Sequence, residues 1–396
     1  MNCLRQSWIT LLAVVLALNS QFVRAAEPTI TAALQPFVES HSFAGAVTLV
    51  STKEKTLTID AVGLADIAAK KAMTTDCLFW IASMSKPITG AAVMILVDEG
   101  KLSIDDPIEK YLPEFAGQMV NLAQSGDLIV LKKPARPITI KDVLAHTSGL
   151  PHLSRAEKQI DMLSLKEAGI SYGLTPLMFE PGTKYQYSNA GINTAGRIIE
   201  VVSGMPYERF LDERIFKVLG MQDTTFWPNE DQLKRVAKSY KPNGVKNDLE
   251  ETTVNQLTYP LNNLKRGPSP AGGYFSTASD LALFCRMVMN GGVHDGKRII
   301  SEASVRAMTS TQTGDLLNQG KGENGYGLGW STSRKASNES VIPGPAGHGG
   351  AYSTNMNIDP QRGLITIWMV QHAGYPGDGG KAQGAFNKAA FDKFAK

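Results

Sequence analysis

Cysteine and histidine are scarce in this chain of 396 residues, which holds three of the first and six of the second. No Cys-x-x-Cys, no other zinc-like spacing and no His-Glu-x-x-His occurs, so no metal and no cofactor is expected. There is no phosphate-binding loop and no Gly-x-Gly-x-x-Gly at a strand end, which removes nucleotide and dinucleotide chemistry. No basic run is present, and without Arg5 and Arg24 the formal charge falls from +3 to +1. Nucleic acid is therefore not an expected partner.

Long apolar runs are lacking as well. The one candidate, Ile9 to Leu18, is about half of the roughly 20 residues that a spanning helix needs. With Arg5 before it and Val23-Arg24-Ala25 after it, the run reads as a secretory signal over residues 1–25, with an uncleaved interfacial anchor as the rival reading. A secreted or periplasmic protein with no stable membrane span after signal removal is expected. Cys77 and Cys285 then remain. A chain of this size buries enough apolar surface to need no staple, so buried thiols are expected, although export leaves pairing open.

Against these absences stands Ser83-Met84-Ser85-Lys86, the only Ser-x-x-Lys in the chain. Phe79 to Ala82 reads as a buried run leading in. Ile88, Ala91, Ala92, Ile95 and Leu96 then repeat at helical spacing up to Gly100. Pro87 fits only near a helix start. On one helical turn a hydroxyl and an amine share a face, so a deprotonated Lys86 can take the proton of Ser83. On its own the pair is equally a capping hydroxyl with a solvated lysine nearby.

Tyr187-Ser188-Asn189, the only Tyr-x-Asn, sits on a loop entering a helix that carries Ile192, Ala195, Ile198, Ile199 and Val202 on one side and ends at Gly204. A phenol there acts as a general base if neighbouring cations draw off its proton, and the amide of Asn189 can hold both a lysine and a substrate carbonyl. An isolated Tyr-x-Asn is otherwise a core tyrosine with an N-capping asparagine. A third element, Gly347 to Thr354, runs into an alternating segment that ends at Asp359-Pro360. Glycine inside a strand pattern marks close approach of a ligand or another backbone, and such an edge can donate an amide to an oxyanion.

With these elements the chain resembles the serine beta-lactamase-related hydrolases, the group of class C beta-lactamases, D-stereospecific peptidases, penicillin-binding carboxypeptidases and family VIII esterases. The resemblance covers nearly all of the mature chain. It includes His146-Thr147-Ser148-Gly149-Leu150-Pro151, Gly272 to Thr277 with Asp280, and Tyr326-Gly327-Leu328-Gly329-Trp330. It implies Ser83 as nucleophile, Lys86 and Tyr187 as proton carriers, and the backbone amides of Ser83 and Ala351 as oxyanion hole. Asn189, His348, Gly349 and Gly350 would then bind substrate. One departure stands out: His348-Gly349-Gly350 replaces the Lys-Thr-Gly of the beta-lactamases. A fixed ammonium is exchanged for an imidazole that is mostly neutral at pH 7, so selection for an anionic beta-lactam should be weaker.

The expected fold is an α/β chain of the α+β type, beta-lactamase/transpeptidase-like, with an antiparallel sheet flanked by helices and an inserted helical lobe. The sheet part covers about 28–102 and 272–396, and the lobe about 103–271. Strands are expected at Ala44 to Ser51, Thr56 to Gly63, Gly325 to Ser333, His348 to Asp359 and Leu364 to His372. Helices are expected at Ile30 to Val38, Ala278 to Asn290 and Lys381 to Lys396, and a capping box at Thr139 to Asp142. The functional expectation is a secreted serine hydrolase with an acyl-enzyme on Ser83, acting on carboxylic esters. The alternatives are a D-Ala/D-amino-acid peptidase or weak beta-lactamase and, from another class, a penicillin-binding sensor without turnover. The partner is a small-molecule ester, amide or peptide. The sequence does not fix the oligomeric state.

Overall fold

An antiparallel sheet of eight strands takes its neighbours from both ends of the chain. The computed structural model describes residues 29–334 and 341–395, so the expected signal segment lies outside it. In chain order the strands are β1 (Gly45–Ser51), β2 (Thr56–Asp66), β3 (Lys71–Ala72), β4 (Asn324–Tyr326), β5 (Ser331–Ser333), β6 (Ala346–Gly349), β7 (Asn355–Asp359) and β8 (Leu364–Met369). Across the sheet they run β4-β5-β6-β7-β8-β1-β2-β3. The first strand pairs with the last, Val47 opposite Met369, and with its hairpin partner, Gly45 opposite Gly63.

Strands β1 and β8 are buried along their whole length, as expected of central strands covered on both faces. Side chains two apart share a face. Ala46 and Val50 accordingly pack with Ile30, Leu34, Trp368 and Phe386, beneath helix α1 (Ile30–Glu39) and the terminal helix Ala382–Phe394. Val47 and Leu49 face the main core instead. That core is shared with α2 (Ser85–Asp98), α3 (Asn189–Ser203) and α4 (Ala278–Met289), which supply Ile88, Ile198 and Phe284 among others. The capping box at Thr139 and Asp142 is present, and Cys77 and Cys285 are buried free thiols.

Two expected strands are each broken in two. Gly325 to Ser333 folds back on itself because Gly329 takes φ +81, and a Cβ there would lie 2.6 Å from the carbonyl oxygen of Lys86. The Gly-Leu-Gly turn between β4 and β5 thus rests on the backbone of α2. His348 to Asp359 is likewise a hairpin, turned by Gly350 N–H donating to the Thr354 carbonyl and by Ser353 at φ +68. The stretch 103–271, read as helices and loops, also holds two hairpins, Val120–Ser125 with Leu128–Lys132 and Ser239–Pro242 with Leu249–Thr252. Leu128 to Leu131 are all exposed, so no buried-face alternation marks that ribbon.

Candidate active site

Within the buried stretch 77–96, Ser83 is the one residue that is not fully buried. It stands in a 3-10 turn, Ala82–Met84, that leads into α2. Ala82 before it holds a left-handed φ of +46, an uncommon and strained setting for a residue with a Cβ. The turn is held from outside: Phe79 and Trp80 pair with Ser276 and Phe275, and Ile81 N–H donates to the Tyr274 carbonyl. Pro87 falls in the first turn of α2, where its missing N–H leaves no helical bond unmade.

One turn beyond Ser83, the side chain of Lys86 is completely buried. Its Nζ lies 3.0 Å from Ser83 Oγ, 2.9 Å from Asn189 Oδ1 and 2.6 Å from the Ala271 carbonyl oxygen. Ala271 is itself fixed to α3, its N–H donating to Asn193 Oδ1. Among the described residues Lys86 has no salt bridge, and burial without a counter-charge pushes it well below the usual lysine range. A neutral amine has two N–H donors and one lone pair. The two carbonyl oxygens take the donors, which leaves the lone pair for the hydroxyl proton of Ser83.

Tyr187 places its ring centroid 4.7 Å from Lys86 Nζ. Burial raises its phenol above the ordinary tyrosine range, the hydrogen bond with Ser83 pulls it down, and the nearby Tyr185 phenol pushes it up. Both shifts run in the direction that favours a neutral amine beside a protonated phenol, one of the two arrangements that the sequence leaves open. Asn189 is the first residue of α3, and Ser188 is its N-cap, accepting from Gly191 N–H at 3.0 Å. The amide of Asn189 spans Lys86 on one side and His152 Nε2, at 3.2 Å, on the other.

His146 is wedged behind the phenol. Its ring centroid lies 4.4 Å from that of Tyr187 and 4.6 Å from that of Tyr326, and its Nδ1 accepts from Ser188 N–H. His348, on β6, is buried with its ring centroid 6.3 Å from that of Tyr187. Its Nδ1 lies 2.7 Å from the Gly349 carbonyl oxygen and must donate to it. Nε2 then accepts from the Tyr326 hydroxyl at 2.9 Å. Burial above all, then the nearby Lys86, lowers His348 to about 3, against an upward pull from the Gly349 carbonyl. The imidazole is neutral, as expected, but both of its nitrogens are engaged within the protein.

Gly349 ends β6, and Gly350 follows against the serine turn, where a Cβ would lie 2.6 Å from the Ile81 carbonyl oxygen. Ala351 stands exposed in the turn that follows. Ser83, Lys86, Tyr187 and Asn189 thus form one contiguous cluster. His348 to Ala351 make the wall next to it. The Ala271 carbonyl, His152 and Tyr326 had no assigned role in the sequence reading. Among the described residues no group of three or more metal-ligating side chains occurs.

The beta-lactamase family model matches residues 30–389. This chain belongs to the beta-lactamase family. Its family relatives include the protein Rv1367c of Mycobacterium tuberculosis, 33% identical over 364 residues that cover 86% of this chain and 89% of that one. An Escherichia coli K12 protein provisionally named a D-alanyl-D-alanine carboxypeptidase is 29% identical over 330 residues, covering 75% of this chain and 69% of its own length. The beta-lactamase-family fold is seen again in the solved structure of EstCE1, described as a hydrolase with promiscuous acyltransferase activity. That structure has a TM-score of 0.75 at 21% identity and covers 91% of this chain and 97% of EstCE1. Among the described residues no helix is long and apolar enough to cross a membrane.

Proposed function

We propose that this serine hydrolase is exported and acts through an acyl-enzyme on Ser83, turning over uncharged carboxylic esters in preference to anionic substrates. The observation that carries this reading is the Lys86 Nζ to Ser83 Oγ contact of 3.0 Å, made by an amine with no counter-charge. An ordinary lysine near pKa 10.4 is a poor base at pH 7, whereas a buried neutral amine accepts the serine proton as Oγ attacks the carbonyl carbon. Tyr187, still a phenol, is placed to hand its proton to the departing alkoxide or amine and to be reprotonated through Lys86. Water then attacks the acyl-enzyme along the same route.

The developing oxyanion is assigned to the backbone N–H groups of Ser83 and Ala351, each such donor contributing roughly 3 to 4 kcal/mol in the transition state. Asn189 is assigned to orient the substrate carbonyl and His348 to hold the wall beside it. Selection against anions follows from charge: Lys86 is neutral and out of reach, and His348 is an uncharged ring with its nitrogens already bonded. Among the described residues of this wall, His348 to Ala351, no fixed cation stands ready for a carboxylate. The sheet part at about 28–102 and 272–396 and the lobe at about 103–271 are proposed as one discontinuous catalytic unit after a signal at 1–25.

The E. coli relative's provisional name favours a second reading, cleavage of D-alanyl peptides. Purified mature protein given short p-nitrophenyl esters, D-Ala-D-Ala peptides and nitrocefin separates the two. Turnover of p-nitrophenyl acetate well above that of nitrocefin and of the peptides supports the esterase reading, and the reverse order refutes it. A burst of product without turnover on every substrate identifies a sensor instead.

A further inference from the structure

We propose that His152 is a positioning residue whose neutral ring holds Asn189 in the one orientation that aims the Lys86 lone pair at Ser83, so that a proton on His152 silences the nucleophile. The inference rests on the assignment of Lys86 as the base.

An amide has a donor end and an acceptor end, and here its neighbours fix which is which. Lys86 Nζ has a second N–H to place after the Ala271 carbonyl has taken one, so Asn189 must show it the oxygen, at 2.9 Å. The Asn189 Nδ2 group therefore faces His152 Nε2 at 3.2 Å, and that nitrogen must be the acceptor. The ring proton then sits on Nδ1, directed at the backbone of Tyr187, and the ring stacks on the Tyr187 phenol at 25° with centroids 6.2 Å apart. Four residues are joined in order: Ser83, Lys86, Asn189, His152.

Protonation breaks the chain at its far end. With hydrogens on both ring nitrogens, His152 would point an N–H at the N–H of Asn189, two donors face to face. A half-turn of the amide relieves this and brings Nδ2 to Lys86. The lysine lone pair then accepts from Asn189, an N–H of Lys86 is turned toward Ser83 Oγ, and the serine proton has no acceptor. His152 is the member of this group best placed to exchange a proton with water, since it is exposed whereas His146 and His348 are buried. The titratable groups around it are Lys86 from α2, the Tyr187 phenol from the loop before α3, and His146 from its own loop. None is a carboxylate. Partial burial and then Lys86 lower the imidazole from the usual histidine range, against an upward pull from the Tyr187 backbone, so the neutral form prevails at neutral pH.

The test compares kcat and KM across pH for native enzyme, His152→Gln, His152→Ala and His152→Arg with p-nitrophenyl acetate, read at the isosbestic wavelength. If Lys86 and His152 must both be neutral, native kcat/KM falls on the acid side with the slope of two protons. His152→Gln, whose amide oxygen accepts from Asn189 at every pH, falls with the slope of one. His152→Arg, a permanent donor, lowers kcat about tenfold to a hundredfold with little change in KM, and His152→Gln recovers most of what His152→Ala loses. Circular dichroism checks that each variant is folded; position 152 is exposed, so all three side chains fit. A two-proton slope in His152→Gln, or native kcat in His152→Arg, overturns the proposal. Undiminished turnover in Ser83→Ala would instead overturn the hydrolase reading beneath it, so the two failures are distinct.

Discussion

The two walls of the cleft solve different problems with similar residues. On the helical wall a buried cation-forming side chain, Lys86, meets two carbonyl oxygens and one hydroxyl, and its count of donors leaves a single lone pair for the hydroxyl. On the strand wall the buried His348 has one acceptor and one donor as neighbours and nothing left over. Both groups are driven toward neutrality by burial. Burial alone therefore does not make a base; an unfilled valence pointing at the substrate does. By this reading the helical wall works with side chains, and the strand wall with its backbone.

The sharpest break in that comparison is Ser83→Ala. It should lower turnover by on the order of 10⁴-fold or more and abolish fluorophosphonate labelling, leaving only what binding and the backbone amides sustain. Labelling found by peptide mapping on another serine would move the nucleophile elsewhere. Next come Lys86→Ala and Tyr187→Phe. Since each controls the same proton, the double variant should cost little more than the worse single one. Additive losses in log rate would show two independent groups. Because burial lowers the pKa of Lys86, the base is neutral at pH values where an exposed lysine is charged. Activity should thus hold well below pH 10 and fall only as acid reprotonates the amine.

The strand wall should respond to backbone changes more than to its histidine. Gly350→Ala sets a methyl against the Thr354 hydroxyl and the Ile81 carbonyl, so the turn must shift, and it should cost about tenfold or more in kcat together with a lower melting temperature. Unchanged kcat would remove the backbone of this turn from the chemistry. His348→Lys is expected to be the mildest. It breaks the bond with the Tyr326 hydroxyl and adds a cation at the edge, shifting the ratio of specificity constants toward nitrocefin over p-nitrophenyl acetate by about tenfold. A constant ratio would mean that residue 348 meets the substrate only through its main chain.

What could be read beforehand follows the range of the interaction. Ser83 and Lys86 are one helical turn apart, and Tyr187 and Asn189 flank a helix start, so local spacing exposes both pairs. Main-chain atoms leave no such trace: nothing in the residue at 271 announces that its carbonyl will hold Lys86. The Tyr326 to His348 bond joins β4 to β6 across an intervening strand and is equally silent. The two split strands fail for another reason, since glycine reads alike inside a strand and at a turn until its φ is known. The pKa of Tyr187 is raised chiefly by burial, a sum over distant side chains that no local spacing carries.

The placement of β1 between β2 and β8 also governs the order in which the protein can be assembled. Gly45–Ser51 is made early and its partner Leu364–Met369 almost last, so during synthesis the central strand has one edge open and one face bare until the C-terminal region arrives. Contacts so distant in sequence close slowly, and the half-built sheet is an edge that invites aggregation. Such a chain is best kept extended until it is complete. Under the export proposed above, that requirement would be met by passage through a membrane as an unfolded thread, and the topology that builds the cleft would defer its appearance until after transfer.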